Sequence, residues 1–519
     1  MASPRTIETT IFPARSATRE RLAPRSPSFA LVRVSLMATL LAAPLAFGAV
    51  QAWAWGALAV VAFLLLFFWS IAGVRQGVLK ILWSPLYVPA GLFFLLGMIQ
   101  FAAHLTLDRL ATREALLKLA TDLIFFFLGG QLFGSPHSAR PSLAESGSKA
   151  RPHSVAYHGA DRLSAPVLRR TLVAYTFLLA LFAIFQFFSS DGLIYWRVKT
   201  LGWTFGPYVN HNHYAGLMEM LIPLSVASAL PALRKQSWAA LAGCLILVPI
   251  ASLLLSASRG GLCALLVEVL LAAVLVAGCG PRHARKLTAL VGGAALLAAA
   301  LLFFWMAPRH IAERLARMGD GTHPPEVELR NRLVAARDAL GILRDHPGLG
   351  AGLGSFETAF LRYQTFPSDG LWDHAHNDYA EALAETGLAG GAVILCALVM
   401  FFWLALKEVV SGQWSVVSRS FRTSDFGLRT SDALCPVPCN LSRVTWFRLA
   451  AAVGCCGLLV HSFADFNLHI PANAAWFAVC AAIATSGRRK AVGSRQLAVA
   501  AGLPRPPVVA AGLSRHVAL

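Results

Sequence analysis

Apolar residues fill this chain in blocks of about twenty, separated by short links that carry arginine, glycine and proline. About 20 helical residues cross a hydrocarbon core of ~30 Å. Each block therefore reads as a membrane-crossing helix, at 32–51, 54–73, 84–104, 115–133, 171–189, 214–232, 237–256, 261–279, 287–307, 387–406, 446–465 and 470–486. The expected fold is an all-α polytopic membrane protein with about twelve transmembrane helices. Residues 32–307 would hold helices 1–9 and residues 387–486 helices 10–12, with one large loop at 308–386 between them. Within that loop, Leu329, Leu333, Ala336, Leu340 and Leu343 recur at helical spacing, while Arg330, Arg337 and Arg344 follow every seventh residue. That pattern predicts an amphipathic helix on a membrane or protein surface, ended by His346-Pro347.

Composition supports the membrane reading. The chain is 56% hydrophobic and 14% charged, with a mean hydropathy of +0.60. The net charge of +19 would suit a nucleic-acid binder, but its distribution excludes that class, because the bases sit in the links. They gather in the tail 1–31, the loop 135–170, the loop 407–445 and the tail 487–519. All of these fall on one side if the helices alternate, so the positive-inside bias places both termini in the cytoplasm and the 308–386 loop outside it. Ala52-Trp53-Ala54 imitates a signal cleavage site, but another apolar run follows at once and favours an uncleaved first span. The 135–170 stretch reads as disordered, and the tandem RTSD within 421–432 as low complexity. Most of the nine cysteines lie inside apolar runs, and Cys435 and Cys439 have no second Cys/His pair beside them. Neither a disulfide framework nor a zinc finger is expected.

Ionisable residues inside spans are few: Lys118, Asp122, Glu219, Glu268, His461 and Asp465. Each is a functional candidate, because a charge in hydrocarbon is expensive. By the alternation, all lie in the outer half of their spans. Transporters instead gather such groups near the midplane between repeats, and no two halves of this chain resemble each other. Four polar stretches reach the same outer side: GPYVNHNHYAGLMEM (206–220), SASRGG (256–261), the Arg-bearing helix running into HPGLGAGLGSF (346–356), and DHAHNDYAEALAETGLAGG (373–391). His211 and His213 have HxH spacing, yet alternate residues diverge on a helix, so polar capping or sugar contacts compete with a metal. Arg259 reads either as a snorkelling base or as a guanidinium fork for phosphate. The glycines at 348, 350, 352 and 354 lack the lysine of a phosphate loop. Read as a helix, Asp378, Glu381 and Glu385 share one face, and His376, Tyr379, Leu383 and Gly387 another.

These stretches resemble the O-antigen ligase/polymerase superfamily of bacterial membrane glycosyltransferases. Its hallmark is His, then Asn/Ser/Gln, nine residues and Gly-x-x-Gly, which His376-Asn377 and Gly387-Leu388-Ala389-Gly390 match. VNHNHYAG, SRGG and the Arg-to-PGLGAGLG stretch resemble its other motifs, over roughly residues 200–410. The family's ligases often continue with Thr-Thr, where Gly391-Ala392 stands here, so ligase, polymerase and protein O-oligosaccharyltransferase all stay open. The resemblance implies a GT-C-like helical fold in the inner membrane and a periplasmic active site. It also implies inverting, metal-independent transfer, without a cofactor, from an undecaprenyl-diphosphate-linked glycan to a glycan, lipid A-core or protein acceptor. It assigns His376 as base, Arg259 as diphosphate clamp, Arg332 and Arg330 as further donor-binding cations, and His211, Asn212, Asn377 and Tyr379 as acceptor or sugar contacts. A transporter of lipid-linked glycans is the rival from another class.

Overall fold

The structure is a computed structural model that describes residues 27–75, 81–134, 158–200, 202–233, 236–279, 325–368, 371–424 and 443–486. Among these residues it is all-helical, with isolated bridges but no strand. The helices are α1 (Pro27–Ala42), α2 (Ala52–Arg75), α3 (Tyr87–Ala102), α4 (Arg109–Phe133), α5 (His158–Ser189), α6 (His211–Leu233), α7 (Gln236–Leu255), α8 (Arg259–Cys279), α9 (Pro325–Asp345), α10 (Phe356–Phe360), α11 (Asp378–Ser424), α12 (Arg443–His461) and α13 (Pro471–Thr485). Among the described residues, seven helices are long and apolar enough to cross a membrane: α2, α4, α5, α7, α8, α11 and α12. The segments α1, α3 and α13 are shorter apolar helices. The expected span 287–307 lies outside the described residues, as do most of the two terminal tails, 135–157, 308–324 and 425–442 with Cys435 and Cys439.

Several boundaries differ from the sequence expectation, two of them by more than ten residues. The stretch read as disordered to residue 170 turns helical at His158. The loop expected from 407 is helical as far as Ser424. There the sequence keeps Val410, Trp414, Val417 and Phe421 at helical spacing, which low hydropathy conceals from a span-length window.

At the centre stand α6 and α13, buried along most of their length. Around α6 pack α5, α7, α8 and α12, while α13 lies against α4, α6 and α12. Small residues make the approach possible: Gly129 of α4 abuts the backbone at Val479, and Gly454 of α12 abuts that of Met220. In hydrocarbon, where apolar surface gains little by hiding from lipid, such close contact drives helix association. Outward-facing side chains are large and apolar, among them Val74, Leu247 and Trp403, as a lipid-facing surface requires.

The segment before α11 forms a second, smaller core of Ala335, Ala339, Ile342, Phe356, Phe360, Ala375, Ala380 and Ala384. The predicted amphipathic helix is present as α9, but it packs by a different face. Ala335, Ala339 and Ile342 are buried, whereas Leu333 and Leu340 are 65% and 47% exposed. Alanines allow α9 to approach the loop closely, which leaves Leu333 and Leu340 outward.

Glycines lock this core onto the bundle. At Gly387 the backbone has φ +64 and ψ −164, which breaks the run of α11. Across the break, Leu388 N–H donates to Pro347 C=O at 2.9 Å and Ala389 N–H to Gly348 C=O at 3.1 Å. Ala351 and Gly352 N–H donate to Ala384 and Glu385 C=O, each at 2.9 Å. A Cβ at Gly350 or Gly387 would collide with the opposite backbone, and both residues have positive φ. Gln100 of α3 fastens the same joint, donating to Leu349 and Glu385 C=O and accepting from Leu353 N–H.

Candidate functional site

The four polar stretches meet at one end of the bundle. Three of them are delivered there by a helix N-terminus whose capping its own sequence supplies, and the fourth by the body of α9. At the start of α6, Asn210 Oδ1 accepts from Asn212 N–H. At the start of α8, Ala257 turns the chain with φ +55 and Ser258 Oγ accepts from Gly261 N–H. At the start of α11, Asn377 Oδ1 accepts from Tyr379 and Ala380 N–H. All three caps are short polar residues of the favoured kind.

His376 therefore lies just before α11 instead of on one of its faces, and it holds a left-handed φ of +50. Non-glycine residues adopt that conformation rarely, and it persists where neighbours over-determine it. Here Asp378 N–H donates to Ser462 C=O and Asn377 Nδ2 to Phe463 C=O, clamping the segment to the turn after α12. Trp372 and Phe466 flank the imidazole, with ring centroids 5.1 and 4.9 Å away.

The focus of the site is Asp465, whose side chain is fully buried. His376 Nδ1 stands 3.5 Å from its Oδ1, His213 Nε2 3.8 Å from the same oxygen, and Arg332 Nη1 3.7 Å from Oδ2. Arg332 also donates to Ala464 C=O. The side-chain contacts are longer than hydrogen bonds, and His213 Nε2, His376 Nδ1 and Asp465 Oδ2 are all buried without a hydrogen-bond partner. Buried polar atoms without a partner are uncommon, and strain, an ordered water or a ligand are the usual reasons for them. Burial pushes the His376 pKa below its ordinary value of 6.5, and nearby Arg332 adds to this; Asp465 opposes it without reversing the direction. The ring is thus neutral near pH 7, which is what a proton acceptor needs.

Behind Asp465, His461 Nδ1 pairs with Glu219 Oε1 at 2.7 Å. His461 Nε2 faces Ser258 Oγ at 3.5 Å, and Gly260 packs against the same ring. The exposed Arg259 side chain is carried on this turn. Arg330 is exposed on α9, two residues before Arg332 and therefore on a different face of the helix. His211 stacks on Trp203 with centroids 4.3 Å apart, and Asn212 is buried. Besides capping, Asn377 contacts the α12 turn; Tyr379 donates its hydroxyl to Leu459 C=O and stacks on Phe463. The structure thus gathers His376, Arg332 and the Arg259 turn around Asp465 and His461, while Asn377 and Tyr379 carry joints between segments.

Sequence reasoning counted Asp465 and His461 among the costly charges inside spans and gave them no specific role; the structure places Asp465 beyond the end of α12, which stops at His461. It missed Trp372 and Phe466, which no spacing distinguishes among 32 phenylalanines and 13 tryptophans. The outer grooves, one along Ala392–Trp403 and one among α2, α3 and α4, hold none of these groups.

No curated protein matches the chain. A family model does: residues 243–395, which span the SASRGG turn, α9, the glycine joint and the His376 segment, match Wzy_C, O-antigen ligase, and over this part the chain is similar to that family.

Proposed function

We propose that the protein transfers a glycan from a lipid-diphosphate carrier to an acceptor hydroxyl, with inversion at the sugar, on the outer side of the bacterial inner membrane. The observation that carries this reading is the meeting of a neutral imidazole, a buried carboxylate and guanidinium groups at the end of a lipid-facing bundle.

In the transfer, the acceptor oxygen attacks the anomeric carbon from the face opposite the carrier. The new C–O bond forms as the bond to the diphosphate oxygen breaks, and the acceptor proton passes to His376. Asp465, beside Nδ1, orients the ring and stabilises the imidazolium that results. The departing diphosphate gathers negative charge, which Arg259, Arg332 and Arg330 would balance. Arg259 suits this role because it opens α8, a 21-residue helix whose N-terminus itself favours anions. His211 and Asn212 would contact sugar at the rim. No step at the transferring atoms needs a metal ion. A growing polysaccharide, a lipid A-core or a protein could each offer the hydroxyl.

The test is carrier binding and transfer measured on the same purified variants. His376→Ala should lose at least ~10²-fold in turnover with carrier affinity nearly unchanged. Arg259→Ala should weaken carrier binding, and Arg259→Lys should restore it only in part, because an ammonium lacks the fork. Loss of carrier binding in His376→Ala with full transfer by Arg259→Ala would reverse the assignment.

A further inference from the structure

Two residues before His376 lies a second cluster that the transfer reading does not use. Three chain segments contribute to it. His374 Nδ1 is 2.7 Å from Glu381 Oε1, and His469 Nε2 is 3.3 Å from the same oxygen. The three potential ligand atoms all lie within 4.8 Å of one another.

We infer that His374, Glu381 and His469 form a binding site for a divalent transition-metal ion of the zinc class. Two imidazoles and one carboxylate are a donor set that such ions favour. Ligand atoms ~2.0–2.1 Å from zinc stand ~3.3 Å apart in a tetrahedron; His469 Nε2 and Glu381 Oε1 already have that spacing, while His374 Nδ1, at hydrogen-bond distance from Glu381, would move outward to admit an ion. The outer contacts are those of a built site. His469 Nδ1 is bonded to Asp378 Oδ1 at 2.8 Å, which directs Nε2 inward, and Asp378 Oδ2 accepts from Leu468 N–H. Glu381 Oε2 accepts from Ala375 N–H at 2.8 Å, which turns Oε1 toward both rings. A carboxylate behind a ligating histidine is the arrangement that orients and strengthens such ligands.

Charge points the same way. With neutral rings, Asp378 and Glu381 leave two buried negative charges at the cluster. One divalent ion neutralises them, and so would two imidazolium protons; these are the competing occupants. The His469 side chain is 33% exposed and that of His374 24%, which gives an ion a path from water and leaves a position for a water ligand. The ring of His374 stacks on Phe466 with centroids 4.2 Å apart, and Phe466 in turn flanks His376 and His213. An ion there would pin the turn at 467–469 to the loop that carries His376.

The experiment is zinc titration of full-length, tag-free protein in detergent, stripped with chelator and read by competition with a chromophoric chelator. One tight equivalent is expected, weakened at least ~10²-fold by His374→Ala or His469→Ala and ~10–100-fold by Asp378→Asn. Glu381→Gln, which keeps the side-chain shape, should lose the equivalent with helix content unchanged by circular dichroism. His211→Ala should keep it. Affinity should fall with pH, because the imidazoles must shed their protons to bind. Wild-type protein that takes up no more zinc than the His374→Ala/His469→Ala double variant would leave the cluster to protons and overturn the proposal. The titration uses neither donor nor acceptor, so its outcome and that of the transfer assay are independent.

Discussion

Asp465 holds an uncommon position for a carboxylate: fully buried, in the turn after an apolar helix, facing two imidazoles and a guanidinium. If it orients His376, Asp465→Asn should keep the shape of the site yet lose on the order of 10²-fold in turnover, with carrier affinity nearly unchanged. Weakened carrier binding with normal turnover would move Asp465 to the donor side. The pH profile gives an independent reading. Transfer needs the neutral ring, so turnover is full above the His376 pKa and falls as pH drops through it. Because that pKa is lowered, the acid limb should lie below 6.5. Removing the Asp465 charge, which supports the protonated ring, should move the limb lower still. A limb above 6.5 in the wild type would show that another group controls the profile. None of these pairings could be read from sequence, since His213, Arg332, His376 and Asp465 come from four segments far apart in the chain. What the sequence exposed was the anomaly of each polar residue beside hydrocarbon.

Helices and joints show which parts of the pattern were legible. The existence and end of α9 followed from its period and from His346-Pro347, because both are local. Its buried face did not follow, because counting leucines favours bulk, whereas Ala335 and Ala339 pack by being small. Likewise His376 was placed on a helical face, although Asn377 beside it is a favoured cap and starts the helix one residue later. The glycine joint offers a sharp comparison. Gly350→Ala places a methyl against the Glu385 backbone at a positive φ and should cost at least ~2 kcal/mol, visible as a lowered Tm in detergent. Gly348→Ala, with open space around it and no unusual φ, should change stability by less than about 1 kcal/mol. Equal effects would mean that the joint does not bear on folding.

For the whole molecule, the Lys/Arg bias makes a topological statement. Single cysteines at positions 150 and 365 of a cysteine-free variant should react with an impermeant reagent from opposite faces of sealed vesicles. Equal reaction from one face would end the outer placement of the site. The glycine joint has a mechanical consequence as well. Its backbone hydrogen bonds tie Pro347 and Gly348 to Leu388 and Ala389, the first residues of the apolar part of α11. A helix that tilts to match a thinner or thicker bilayer would carry this knot with it. The loop holding His376 would thereby follow the acyl-chain length of the surrounding lipid. In vesicles of di-14:1, di-18:1 and di-22:1 phosphatidylcholine, turnover should pass through an optimum while carrier affinity stays nearly level. A Gly350→Ala joint, loosened from its partner strand of backbone, should respond less to thickness than the wild type.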